Sequence, residues 1–294
     1  MMINLITLKE IAIKFIKQFL GKKYVINDLS IVNKEEDYIF VSFTGGLGAQ
    51  LLSSAIYYDL IEKGYKVAAD LNYFSKDEKT PVLLKNGLTH WNWQLDSFGI
   101  KKEDFSTFVQ KRVVYLPDGH LKSVLACNAF LNLNIKNKFK KLSFDDLTNK
   151  CLYEYNFILP KEYFICIHVR RGDYLNVASY IVPEAFFELI SLKFKGIIET
   201  IIVFTDGKLN QSFIRILNNN FSRVLLFENS CLDPFTTHTI MRHSKVFIGS
   251  NSQYSFTAGV LNDNLVIMPK IWFGKELDEL NQQIIKLADF VVLS

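Results

Sequence analysis

The chain has 294 residues, of which 49% are hydrophobic and 22% charged, enough apolar material for a sizeable core and a prior of about two domains. The net charge of +4 suits an anionic ligand and gives no footing for nucleic-acid binding, and the absence of low-complexity runs excludes a disordered chain. Cys127, Cys151, Cys166 and Cys231 form no C-x-x-C pair, so no zinc site is expected. Cys166 sits in an apolar run and is expected in the core.

Residues 5–20 read as an amphipathic helix. Leu8, Ile11, Phe15, Ile16 and Phe19 share a face, and Lys9, Lys14, Lys17, Lys22 and Lys23 form a basic flank. Two readings stand: packing on the protein body or a second subunit, and attachment to an anionic membrane surface. No apolar stretch reaches the roughly 18 residues of a membrane span. The charged residues within the helix also speak against a secretory signal. The expectation is a cytoplasmic protein, with peripheral attachment to the inner face of the membrane on the second reading.

A short apolar run over 38–43 is followed by the glycine turn Gly45-Gly46-Leu47-Gly48, a helix from Gln50 to Lys63 and a strand over Tyr65–Leu71. Strand, glycine loop, helix and strand in this order argue for a parallel sheet. Residues 72–150 hold only short apolar pieces, with Trp91 and Trp93 among them, and core packing is the commoner fate of such tryptophans.

Regular alternation resumes at Tyr163–Val169. A helix opened by Pro183 is expected to run to about Lys195, followed by strand Thr200–Thr205, a helix over Leu209–Asn218 and strand Arg223–Glu228. A helix over Thr236–His243, strand Lys245–Gly249, a helix after Ser252 to Leu261, strand Leu265–Met268 and a helix near Glu276–Leu287 complete the chain. The alternation predicts a doubly wound second half. The expected division is an N-terminal helix in 1–30, an α/β unit over 31–155 and a second over 156–294.

Four polar or glycine-rich loops follow strands, where open α/β sheets bind ligands. Gly46, Leu47, Gly48 and Gln50 open a helix, whose free N–H groups suit a phosphate; a plain turn is the competing reading. His168, Arg170, Arg171 and Asp173 crowd one loop. Alternation puts His168 and Arg170 on one side, and arginine forks fit a diphosphate. Asp173 can orient an arginine or accept a proton. Asp206 can bond a ribose or base edge, or simply form a turn. Ser250, Asn251 and Ser252 precede a helix and offer an N-cap, a phosphate site or both.

Taken in order, these motifs resemble the bacterial α-1,2-fucosyltransferases of glycosyltransferase family 11, within the wider α-1,2/α-1,6/protein-O-fucosyltransferase group. Gly45-Gly46-Leu47-Gly48-Ala49-Gln50 is similar to the family's Gly-Gly-Leu-Gly-Asn-Gln opening. His168-Val169-Arg170-Arg171-Gly172-Asp173-Tyr174 matches its His-x-Arg-Arg-x-Asp-Tyr motif in full. Phe204-Thr205-Asp206 resembles its Phe-Ser-Asp-Asp strand end, and Ser250 to Phe256 its Ser-Asn-Ser-Thr-Phe-Ser-Trp segment. The pattern departs at Gly207, which replaces the second aspartate, and at Phe256 and Thr257, which replace tryptophans.

The resemblance implies a GT-B-like fold, two Rossmann-like domains facing a central cleft, with the acceptor on the N-terminal side. It implies inverting transfer from GDP-β-L-fucose, without cofactor or metal, to a sugar hydroxyl of a bacterial surface glycan such as O-antigen or capsule, in free or lipid-linked form. Arg170 would neutralise the leaving diphosphate, His168 and Asp206 would hold the guanosine, Ser250–Ser252 would assist at phosphate, and Gly46 and Gly48 would border the donor. A binding protein of the same fold without catalysis, and a transferase using another nucleotide sugar, are the alternatives. A dinucleotide oxidoreductase fits least, since the glycine loop lacks G-x-G-x-x-G.

Overall fold

The computed structural model describes residues 29–74, 92–107, 113–115, 160, 162–228, 232–272, 282 and 290–293. The expected helix over 5–20, Trp91, Cys127, Cys151 and Cys231 lie outside these residues, as do nearly all of the expected C-terminal helix and the expected division between 155 and 156.

In the N-terminal half, β1 (Tyr38–Ser42), β2 (Lys66–Asp70) and β3 (Val113–Tyr115) form a parallel sheet in the order β2-β1-β3. Helix α1 (Leu47–Glu62) is buried over most of its length, as expected of a helix apolar on nearly every side. It starts three residues earlier than predicted because Gly46, extended at its N-cap, lets the helix begin inside the glycine turn. Beyond its end Gly64 adopts φ +79°, a left-handed turn that favours glycine.

The C-terminal half holds β4 (Phe164–Val169), β5 (Thr200–Thr205), β6 (Arg223–Glu228), β7 (Val246–Ile248), β8 (Leu265–Pro269) and β9 (Val291–Leu293). All pair in parallel, in the order β6-β5-β4-β7-β8-β9. Counted within this half the order is 3-2-1-4-5-6, the doubly wound Rossmann arrangement that the alternation predicted. Every residue of β4 and β5 is buried, as in a parallel sheet covered on both faces.

Helices α2 (Glu184–Ser191) and α3 (Gln211–Asn220) pack with Ile165, Ile167 and Val169 on one face. Helices α4 (Pro234–His243) and α5 (Gln253–Val260) pack with Phe164 and Cys166 on the other. Cys166 is fully buried, and burial raises its thiol pKa. Pro183 sits at the N-cap rather than within the first turn, and the helix it precedes ends at Ser191 before a 3-10 turn over Leu192–Phe194. Asp233 caps α4 by accepting from the Phe235 and Thr236 N–H groups, so that helix starts at Pro234, two residues before the expected start.

One apolar cluster runs through both halves, from Val41, Leu51 and Phe98 to Cys166, Phe235 and Phe256. Phe98 meets Phe235 edge to face at 4.7 Å. Trp93 packs among Phe43, Phe74 and Phe105 and donates to the Ile100 carbonyl at 3.0 Å, which is a core role. The halves also meet closely at Gly48 in the first turn of α1. A Cβ there would stand 2.5 Å from the Tyr254 nitrogen and 2.6 Å from the Gln253 carbonyl carbon, both backbone atoms of α5. Gly48→Ala should therefore destabilise the protein by about 1–3 kcal/mol despite alanine's better helix propensity. Chemical unfolding measures this, and a more stable variant would mean that the helices do not meet here.

Candidate functional site

Strand order reverses between β4 and β7, and their carboxyl ends open on the crevice where doubly wound sheets place ligands. Three of the four expected loops leave neighbouring strands: His168–Tyr174 follows β4, Thr205–Gly207 follows β5 and Ser250–Gln253 follows β7. The fourth, Gly45–Gln50, follows β1 and reaches the others through the Gly48 contact with α5.

The two arginines divide. Arg170 forms an ion pair through Nη1 with Asp206, and its guanidinium lies 5.2 Å from the centre of the Tyr174 ring. Its side chain keeps 19% exposure. Arg171 is buried on the opposite face. It donates to the Arg170 and Val182 carbonyls at 3.0 and 3.2 Å and pairs with Glu184 at 3.3 Å. Glu184 also accepts from the Asn210 N–H, tying α2 to the start of α3. Arg171 thus braces the loop from behind.

Asp206 bonds inward as well. Besides pairing with Arg170, it accepts from the Arg171 N–H at 2.5 Å, so it orients the arginine loop. The glycine after it has a spatial cause, since a Cβ on Gly207 would stand 2.7 Å from Arg171 Cβ. Asp173 lies on the 3-10 turn Gly172–Asn176, and its side chain is outside the described residues.

The serine loop holds the strand ends together. Ser250 Oγ donates to the His168 carbonyl at 2.8 Å and accepts from the Arg170 N–H at 2.9 Å. Ser252 caps α5, its Oγ accepting from the Ser255 N–H at 3.1 Å. Asn251 Nδ2 donates to the Trp272 carbonyl at 3.2 Å, while its buried Oδ1 has no hydrogen-bond partner among the described residues. Thr44 Oγ1, beside the glycine turn, is likewise buried without one.

His168 Nδ1 lies 2.6 Å from Ser255 Oγ, and its ring meets Tyr254 at 5.4 Å. Burial, reinforced by the Arg170 charge, lowers its pKa to about 3, so the imidazole is neutral. His238 continues the stack, 5.4 Å from Tyr254 and 5.7 Å from Phe98. Burial, then Arg242 and then His168 hold its pKa well below the usual value.

In the glycine loop, Gly45 takes φ +73° and Gly46 is half-exposed, whereas Leu47, Gly48 and Gln50 are buried. Gln50 donates to the Gly45 and Asn92 carbonyls and accepts from the Gln94 N–H, so its amide pins the loop to the segment after residue 91. Gly48 serves the approach of α1 to α5. That contact joins the first turn of each helix, so two helix N-termini converge beside the end of β4.

Sequence reasoning did not single out Ser255, Tyr254, His238 or Glu184. Ser255 carried a weak signal as the residue three places after a serine N-cap, a usual cap spacing. Glu184 and His238 meet the site only through tertiary packing and left no local trace.

No family model matches the chain, and no curated protein matches it. Solved structures show loose likenesses. POFUT1 in complex with GDP has 13% identity and a TM-score of 0.43, over 79% of this chain and 96% of that one. The glycosyl transferase family 9 protein from Veillonella parvula DSM 2008 has 9% identity and a TM-score of 0.43, over 91% and 88%. The fucosyltransferase NodZ from Bradyrhizobium has 12% identity and a TM-score of 0.41, over 77% and 92%. These values assign no residue a role.

The buried neutral histidines set an acid limit. Unfolded histidine takes up a proton near pH 6.5, whereas in the folded state His168 does so only near pH 3. The contribution of His168 is complete above about pH 6.5 and is lost as pH falls toward 3, by up to about 1.4 kcal/mol per pH unit, and His238, its pKa also lowered, acts in the same direction. Urea unfolding at pH 7 and pH 5 should show a smaller loss for His168→Gln and His238→Gln than for the parent. Identical losses in all three would contradict the burial of neutral imidazoles.

Proposed function

We propose that the chain is a glycosyltransferase that binds a nucleotide-diphosphate sugar where β4, β5 and β7 end. The observation that carries this reading is the convergence of the first turns of α1 and α5 beside the Arg170 loop. Each helix start carries roughly half a positive charge, and Arg170 adds a guanidinium fixed by Asp206. A diphosphate supplies the complementary charge.

In sugar transfer, positive charge spreads over the ring while negative charge builds on the departing phosphate. Fixed donors at that phosphate act where charge develops, so Arg170 serves rate more than binding. His168 is neutral, so it acts as a hydrogen-bonding group rather than a cation. On this reading the site uses arginine and helix dipoles in place of a divalent metal. Asp173, on the same turn, is the proposed acceptor of the hydroxyl proton. The motif resemblance supports GDP-β-L-fucose as donor, inverting α-1,2 transfer and a bacterial surface glycan as acceptor. The basic amphipathic sequence pattern of residues 5–20 suits attachment to an anionic membrane.

GDP should raise the melting temperature more than UDP or CMP, because a ligand that binds only the folded state stabilises it by mass action. Equal stabilisation by UDP would remove the GDP assignment. Arg170→Ala should lower turnover roughly 10²–10³-fold with activity in excess EDTA unchanged, and Arg170→Lys should restore little, since a point charge does not replace a planar fork. A near-parental rate for Arg170→Ala on a verified acceptor would sink the mechanism.

A further inference from the structure

His168 stands on β4 two residues before Arg170, on the face of the sheet that α5 covers. It is only 5% exposed. Its Nδ1 is engaged with Ser255 Oγ at 2.6 Å. Its Nε2 has no hydrogen-bond partner among the described residues, yet is not fully enclosed in that condition, as His238 Nδ1 is. The small exposed part of His168 therefore includes Nε2, at the crevice end of β4.

Which nitrogen carries the proton follows from the hydroxyls behind the ring. A neutral imidazole has one N–H and one bare nitrogen, and the buried His168 is neutral. Ser255 is fully buried in the first turn of α5. Its Oγ accepts from the Ser250 N–H at 3.2 Å and lies 3.1 Å from Ser252 Oγ. Two arrangements of protons fit these contacts. In the first, Ser252 donates to Ser255 and Ser255 donates to His168 Nδ1, so both buried hydroxyls have acceptors. In the second, His168 donates from Nδ1 to Ser255, and Ser255 donates to Ser252. That leaves the Ser252 O–H, on a residue 4% exposed, with no acceptor among the described residues. A buried donor without an acceptor loses its hydration for nothing, so the first arrangement is the stable one and the proton sits on Nε2.

We propose that Ser255, backed by Ser252, is a positioning residue that locks His168 as an Nε2–H donor, and that this donor meets an oxygen of the ligand's diphosphate. The second half rests on the glycosyltransferase reading. It moves His168 from the guanosine, where the motif resemblance puts it, to the phosphates. The ring is held by the first turn of α5, which meets the first turn of α1 at Gly48. It is also close enough to Arg170 to feel that charge, so the two donors serve one place. A locked N–H adds a directed bond without adding charge, and a phosphate oxygen, which only accepts, is its complement.

Nitrogen NMR of the full chain labelled at histidine tests both halves. The His168 signals are identified by their loss in His168→Asn, whose shorter amide reaches the place of Nδ1 and not that of Nε2. The unliganded protein should carry a proton on Nε2 and none on Nδ1; a proton on Nδ1 overturns the proposal, whether or not any variant folds. Ser255→Ala should populate both tautomers, and a spectrum that keeps Nε2–H alone overturns the role of Ser255. Saturating GDP and pyrophosphate should each shift the Nε2–H signal, and guanosine should leave it in place. A shift with guanosine and none with pyrophosphate overturns the phosphate contact in favour of the base. His168→Asn should weaken GDP and pyrophosphate alike, by about tenfold, and a loss confined to GDP overturns the contact in the same way. If GDP raises the melting temperature yet leaves Nε2–H in place, the donor reading stands and the phosphate contact falls. If neither GDP nor pyrophosphate binds, the donor reading falls and takes the phosphate contact with it, while the unliganded spectrum still decides the tautomer.

Discussion

The contact of Gly48 with the backbone of Gln253 and Tyr254 is the constraint on which the candidate site depends. It puts the first turns of α1 and α5 together, and with them the positive ends of two helix dipoles. Like ends repel, so this arrangement is held by something else. The apolar cluster shared by the two halves supplies it, with Phe98 packed edge to face on Phe235. The core thus keeps in place an electrostatic arrangement that is unfavourable until an anion arrives.

Around that contact, much of the polar motif is framework. Ser250 ties the end of β4 to the loop after β7, Arg171 anchors the loop after β4 to α2 through Glu184, and Gln50 fastens the glycine turn to the segment after residue 91. Asp206 completes the frame by holding both the Arg171 backbone and the Arg170 guanidinium. Arg170 is left as the partly exposed cation among braced neighbours. Such bracing keeps a charged group in one geometry without reorganisation when charge develops.

The parallel sheets and their loops were legible because strand periodicity and strand-end polar residues are local signals. β3 and β9 were not, since each is three residues long and its pairing is decided by distant partners. The strand-end position of the site loops was legible too. The division of work inside them was not: Arg170 and Arg171 are adjacent and chemically identical in sequence, and only the two faces of the sheet separate a partly exposed side chain from a buried one. The close packing of Arg171 against Gly207 likewise left no local trace.

Charge accounting at the strand ends bears on how the site would work. Arg170 is balanced by Asp206 and Arg171 by Glu184, while His168 is neutral. The formal side-chain charge of this cluster is therefore near zero. What remains positive is the pair of helix starts, together worth roughly one elementary charge. A site of this kind does not hold a diphosphate by sheer charge, which would slow release of the nucleotide after transfer. It meets the anion with dipoles and with a guanidinium already oriented by a carboxylate. On the proposed glycosyltransferase reading these would gain most as the bridging oxygen takes on charge, so the arrangement would favour the transition state over the bound donor.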